Sequence, residues 1–130
     1  MSGVYVDTSA LGRVLLGEPD AAAVIRALAD FELHIASRLL RIELCRLALR
    51  HRLLDHAEQL LSGVALLPLD DPVLDAAETV PPASVATLDA IHLVTALRLG
   101  DEELIDAVMT YDSRLAEGAQ EHGLSVVAPG

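Results

Sequence analysis

Val4-Tyr5-Val6-Asp7-Thr8-Ser9 decides how the fold is read, because three apolar residues of strand character run straight into an acid and two hydroxyl residues. That is the pattern of a short buried strand ending at a strand-to-helix turn. A strand packed on both faces of an open α/β sheet has no room for chemistry along its length, so ligands gather beyond its carboxyl end, where loops and helix amino termini converge. Asp7 stands at such an end. The pattern returns late in the chain, where Leu104-Ile105-Asp106-Ala107-Val108-Met109 leads to Thr110-Tyr111-Asp112-Ser113. Parallel strands would bring Asp7 and Asp112 to one sheet edge, while Asp106, inside or before its strand, would mark that strand's wet entrance.

Between these two stretches, short aliphatic runs alternate with longer helical ones. Leu11, Val14 and Leu15 give a short amphipathic helix whose start a hydroxyl residue could cap, and Gly17-Glu18-Pro19 breaks it. Asp20 can cap a second helix to about residue 30, and the aliphatic faces of this pair are candidates either for dimerisation or for packing onto their own sheet. Leu33-His34-Ile35-Ala36 reads as a strand, with Ser37 capping the long helix that follows. Asp55 starts another short helix, Val64-Ala65-Leu66-Leu67 is a possible edge strand, and Asp70 or Asp71 caps a helix begun by Pro72. After Pro81-Pro82, Thr87 is placed to cap the helix that holds Asp89 in its first turn. The last helix runs from about residue 113 to 121, and Leu124-Ser125-Val126-Val127-Ala128 closes the chain as a strand. The pattern predicts an open α/β/α sandwich on a central, mostly parallel five-stranded sheet, with strands near residues 3–7, 33–36, 64–67, 104–109 and 124–128.

Four acids fall where such a fold could gather them: Asp7, Glu43 between apolar neighbours of the long helix, Asp89 and Asp112. Each has an ordinary explanation as well. Asp89 and Asp112 suit helix amino termini, and Glu43 could be solvated beside Arg46 or Arg50 at helical spacing. An apposed carboxylate cluster repels itself unless cations neutralise it, and hard oxygen ligands suit Mg2+ or Mn2+. His92, three residues after Asp89, is expected to be structural or supporting. One cysteine, Cys45, and no compact histidine cluster give little support for zinc.

The 130 residues suit one domain spanning residues 1–130, and with 52% hydrophobic residues but only two tyrosines, one phenylalanine and no tryptophan, its core must be aliphatic. No apolar run approaches the length of a membrane span, no signal-like amino terminus is present, and a lone cysteine fits a reducing, cytoplasmic setting. The formal charge of −11 arises from twenty acids against nine arginines, with no lysine. That balance argues against a passive duplex-binding module. It leaves a nuclease open, since metal ions can bridge acids to phosphates, and Arg38, Arg41, Arg46, Arg50 and Arg52 concentrate positive charge mid-chain.

Taken in order, VDTSAL (6–11), ASRLLRIEL (36–44), TLDAIHLVTAL (87–97) and MTYDSRLAEGA (109–119) make the chain resemble a PIN-domain nuclease, most closely the VapC toxins of bacterial toxin-antitoxin pairs. The resemblance spans essentially the whole chain. It implies that Asp7, Glu43, Asp89 and Asp112 are the catalytic, metal-binding acids, with Thr8, Ser9 and Thr110 as polar support and His92 supporting its helix. It also implies Mg2+-dependent hydrolysis of RNA phosphodiesters with one or two ions, Mn2+ being an alternative, and cytoplasmic action that inhibits translation or growth. A VapB-like antitoxin whose arginine-bearing segment covers the acidic groove, and a homodimer, are the implied partners. One departure stands out: Val85-Ala86-Thr87 precedes Leu88-Asp89, where similar proteins often carry a basic residue, so Arg38, Arg41 and Arg46 are the candidate phosphate contacts.

Other readings keep part of this pattern. A phosphoaspartyl phosphatase or receiver domain also sets acids above a parallel sheet, but Asp7-Thr8-Ser9 lacks a second acid and the chain has no lysine. An RNA-processing or structure-specific DNA nuclease would keep the metal chemistry and change the substrate. A noncatalytic interaction domain would keep only the surface.

Overall fold

The computed structural model describes residues 2–130. Its strands are β1 (Gly3–Val6), β2 (Leu33–Ser37), β3 (Ala65–Leu67), β4 (Ala107–Met109) and β5 (Ser125–Val127). Its helices are α1 (Thr8–Leu15), α2 (Ala21–Leu28), α3 (Arg38–His51), α4 (Leu54–Leu61), α5 (Asp71–Ala77), α6 (Thr87–Asp101) and α7 (Ser113–Glu121). The strands form one sheet in the order β3-β2-β1-β4-β5, and every pairing is parallel. Helices separate the parallel strands, as crossover connections require.

The strand order places the site. From β1 the chain builds outward through β2 to β3, then returns to lay β4 on the other side of β1 and continues to β5. The order therefore reverses between β1 and β4, and a crevice opens at the carboxyl ends of strands flanking such a reversal. Tyr5 lies beside Val108 and Val6 beside Met109. Asp7 extends the ladder by one bond, its N–H donating to the Met109 carbonyl at 3.0 Å.

The core is aliphatic, as the composition requires. Val4, Tyr5 and Val6 are completely enclosed, with Leu40, Leu44, Leu93, Leu99, Val108, Met109 and Leu115 around them. Burial of this kind is the main favourable contribution to folding. Among the described residues no helix is long and apolar enough to cross a membrane.

Several expected boundaries shift. The fourth strand begins at Ala107, and residues 104–106 lead into it as irregular backbone. Ile105 is buried there all the same, so its apolarity reflects packing rather than pairing. Ser37 and Asp70 cap α3 and α5, accepting from the N–H groups of Leu39 and Val73. Thr87 is already helical; Ala86 occupies the cap position and offers no side-chain acceptor. Asp7, not a hydroxyl residue, stands at the start of α1, and its carboxylate makes no capping bond. Asp20 also stands before its helix without capping it, because its carboxylate pairs with Arg13 at 2.9 Å. The apolar face of α1 is spent inside the molecule, with Leu11, Val14 and Leu15 buried, while Ile25 of α2 stays exposed.

Candidate active site

Two hydroxyl residues fix Asp7 at the end of β1. Ser9 Oγ donates to Asp7 Oδ2 at 2.7 Å and Thr110 Oγ1 donates to the same oxygen at 2.8 Å. Those hydroxyls are oriented in turn by main-chain donors: the Tyr111 N–H reaches Ser9 Oγ at 2.8 Å and the Asp112 N–H reaches Thr110 Oγ1 at 3.0 Å. The turn after β4 thus holds the acid at the end of β1. One carboxylate oxygen is fully engaged, which leaves Oδ1 facing the crevice, 3.6 Å from His92 Nε2.

Glu43 comes from the middle of α3, and its Oε1 accepts from Thr8 Oγ1 and from His92 Nε2, both at 2.7 Å. Burial pushes its pKa up, but the hydrogen bonds from His92 and Thr8 outweigh that effect and hold the carboxyl below its ordinary range. His92 is completely enclosed. Burial disfavours its charged form, whereas Glu43, Asp7 and Asp89 favour it, and the net shift is upward. One ligand atom from each of Asp7, Glu43 and His92 lies within 4.8 Å of the others, close enough to surround one ion.

Asp89, in the first turn of α6, is the strained member. Burial, then the charges of Asp112 and Asp7, push its pKa up to about 6. Asp112 caps α7 through Oδ1, which accepts from the Leu115 N–H at 2.8 Å. Its capping role and its place beside Asp89 therefore coexist. Of the four acids expected to converge, Asp7 and Glu43 bring ligand atoms together with His92, whereas Asp89 and Asp112 lie outside that group and Asp89 feels the charges of the other three; Thr8 contacts Glu43, and Ser9 and Thr110 contact Asp7. His92 is more central than a helix-supporting residue, because its ring touches Glu43 directly.

The donor chemistry suits a hard divalent cation. Asp7 and Glu43 each keep one carboxylate oxygen outside the hydrogen bonds described, and Asp89 keeps its charge only against burial and the repulsion of its neighbours, a condition that a bound cation would relieve. The arginines divide. Arg41 is turned to Glu58 of α4, and Arg38 is exposed. Arg46 lines a groove of about 540 Å3 with Thr8, Glu43, Arg50, Ile42 and Leu88. Arg50 belongs with it, since Glu43, Arg46 and Arg50 follow the three- and four-residue spacing that shares one helix face.

Comparison with known proteins bears on the fold and the family. A model of the PIN domain matches residues 4–121. Ribonuclease VapC47 of Mycobacterium tuberculosis is 38% identical over 134 aligned residues, covering 98% of this chain and 97% of the relative. Ribonuclease VapC46 of the same species is 36% identical, covering 99% of each. Two solved structures share the fold at 17% identity. One is a toxin-antitoxin complex from Klebsiella pneumoniae, with a TM-score of 0.75 over 98% of both chains. The other is M. tuberculosis VapC20, a sarcin-ricin loop cleaving toxin, with a TM-score of 0.72 over 97% of this chain and 99% of that one.

Proposed function

The chain belongs to the PIN-domain family as a homologue of the VapC ribonucleases, and on that premise we propose that it is a divalent-metal-dependent endoribonuclease, the toxin of a toxin-antitoxin pair. The observation that carries this reading is the carboxylate cluster at the reversal of strand order, with Asp7 and Glu43 each braced by hydroxyl donors and Asp89 crowded by Asp7 and Asp112. Asp7, Glu43, Asp89 and Asp112 would hold Mg2+ or Mn2+, which when bound supplies charge neutralisation for the phosphate and activation of a water. No serine or cysteine nucleophile is needed.

The chain's own residues prepare that site. Ser9 and Thr110 immobilise Oδ2 of Asp7 and leave Oδ1 to bind. Thr8 and His92 do the same for Oε1 of Glu43, leaving its second oxygen free. Asp89 gives up its proton as the site fills, so binding releases protons below about pH 6. Arg46 and Arg50 contact phosphates of an RNA strand leaving the acids along the α3 groove, and they take the part that the sequence before Asp89 leaves unfilled. Residues 1–130 act as one unit, in the cytoplasm. An antitoxin segment carrying arginine covers the acids, and the exposed aliphatic residues Ile42 and Leu88 offer it apolar contact. Ile25 on α2 is the exposed apolar residue available to a homodimer contact.

The test is cleavage of total cellular RNA by purified protein, before and after chelation and restoration of Mg2+ or Mn2+, with folded Asp7→Asn alongside and the genetically paired antitoxin added. Native protein should cut only with metal and should be silenced by the antitoxin. Equal cutting by Asp7→Asn would reject the metal site, and failure to bind the antitoxin would reject the toxin assignment.

A further inference from the structure

Tyr5 is completely buried, yet it carries a hydroxyl into the core from the middle of β1. That hydroxyl sits between two polar groups. It accepts the Ser37 main-chain N–H at 3.1 Å, at the junction of β2 and α3, and meets His92 Nδ1 at 2.6 Å. The other ring nitrogen, Nε2, lies 2.7 Å from Glu43 Oε1. A chain of short contacts therefore runs from the sheet through an imidazole to an acid of the site.

The direction of each bond follows from the acceptor at its end. A Glu43 carboxylate has no proton to give, so Nε2 must carry a hydrogen and donate it. In the neutral ring Nδ1 then holds a lone pair, and the Tyr5 O–H donates to it. In the imidazolium Nδ1–H donates to the Tyr5 oxygen instead. Both charge states keep Nε2–H on Glu43, and neither leaves a ring nitrogen free.

We infer that Tyr5 is a positioning residue for the acidic site: it locks His92 so that Nε2–H braces Glu43, and His92, although close enough to share an ion with Asp7 and Glu43, is a hydrogen-bond donor and not a metal ligand. The consequence is a donor set made of oxygen alone, which suits Mg2+ and Mn2+ and gives Zn2+ none of the nitrogen or sulfur ligands it favours. The inference rests on the metal-site reading above, but it is tested without RNA and independently of any nuclease activity. Partners that orient a ligand in this way typically alter metal affinity by about 10–100-fold when removed.

Nitrogen-15 correlation spectra of the imidazole rings in the full chain, with His92→Gln used to assign His92, read the ring directly. Nε2 should carry its proton in the metal-free protein and keep it when Mg2+ is added. A lone pair on Nε2 in the metal-free protein, or loss of the Nε2 proton on addition of Mg2+, overturns the inference. In Tyr5→Phe the Nδ1 resonance should move and Mn2+ binding, measured by calorimetry, should weaken about tenfold; native-like Mn2+ affinity in folded Tyr5→Phe also overturns it. Should Tyr5→Phe fail to fold, the native spectra decide: Nε2 must behave as above, and an Nδ1 resonance unlike that of a hydrogen-bonded nitrogen overturns the lock by Tyr5. His92→Gln, which retains an N–H donor, should bind Mn2+ more tightly than His92→Leu, and equal affinities would contradict the bracing role.

Discussion

The two ends of the same strand pair, β1 and β4, both carry acids and use them in opposite ways. Where the strands begin, Asp106 and Gly3 are joined reciprocally: Asp106 Oδ2 accepts the Gly3 N–H at 3.1 Å, and the Asp106 N–H donates to the Gly3 carbonyl at 2.7 Å. Glycine is required there, because a Cβ would lie 2.1 Å from the Leu104 carbonyl oxygen. Where the strands end, Asp7 and Glu43 bring ligand atoms together with His92, and Asp89 lies in their field, its pKa raised to about 6 first by burial and then by the charges of Asp112, Asp7 and Glu43. An acid whose hydrogen bonds are met locally is holding the chain together. Acids set against other acids are the arrangement that a cation would neutralise, and the proposed site lies at the finishing end of the strands for that reason.

Substitutions at the two ends sharpen this contrast. The largest effect belongs to RNA cleavage: Asp7→Asn should lower the rate by at least about a hundredfold, beyond the range typical of residues that merely orient a metal ligand, while Asp106→Asn leaves it near native. Rate measurements on proteins with matching circular dichroism check this, and comparable losses at both ends would erase the distinction. Next in size is Gly3→Ala, where the added methyl must displace main chain; about 1–3 kcal/mol of stability should be lost, read by denaturant unfolding, and native-like stability would show that the strand entrance relaxes freely. Asp106→Ala should cost about 1 kcal/mol through the loss of one hydrogen bond without changing metal binding.

The smallest effect is a dependence of stability on pH. Asp89 keeps its proton in the folded, metal-free chain up to about pH 6, whereas its ordinary value is 3.8. Between these values the folded state binds more protons than the unfolded one, so the contribution of Asp89 to stability falls as pH rises through that window and stays low above it. Asp89→Asn removes the repulsion. In chelator its melting temperature should exceed that of the native chain by an amount that grows from about pH 4.5 to 6.5; a difference that does not change with pH would mean that neither burial nor its neighbours disfavour the Asp89 charge.

Much of this was legible in the sequence because it depends on local pattern. The five strands, the Ser37 and Asp70 caps and the position of Asp89 in the first turn of α6 all follow from short-range signals. Leu104 and Ile105 misled because apolar residues look alike whether or not they pair in a strand: Leu104 stays exposed and Ile105 packs into the core, both ahead of the ladder. The hydroxyls of Thr8, Ser9 and Thr110 read as caps or general polar support; Ser9 bonds Asp7 two residues before it, but the bonds of Thr8 to Glu43 and of Thr110 to Asp7 join residues far apart in the chain. Tyr5 gave no signal, since an aromatic residue in a buried strand is ordinary and its partners, Ser37 and His92, are contributed by other elements. The pairing of Arg41 with Glu58 depends equally on how α3 and α4 pack.

The proposed divalent-cation site needs the acids at the carboxyl ends of β1 and β4 to act together. Calorimetric titration of Mn2+ into the native chain, Asp7→Asn and Asp106→Asn at pH 7.5 tests it most directly. The native chain and Asp106→Asn should bind with matching affinity, and folded Asp7→Asn should bind at least about a hundredfold more weakly. Equal binding by all three proteins, or an equal loss from the two substitutions, would mean that these acids do not form the site.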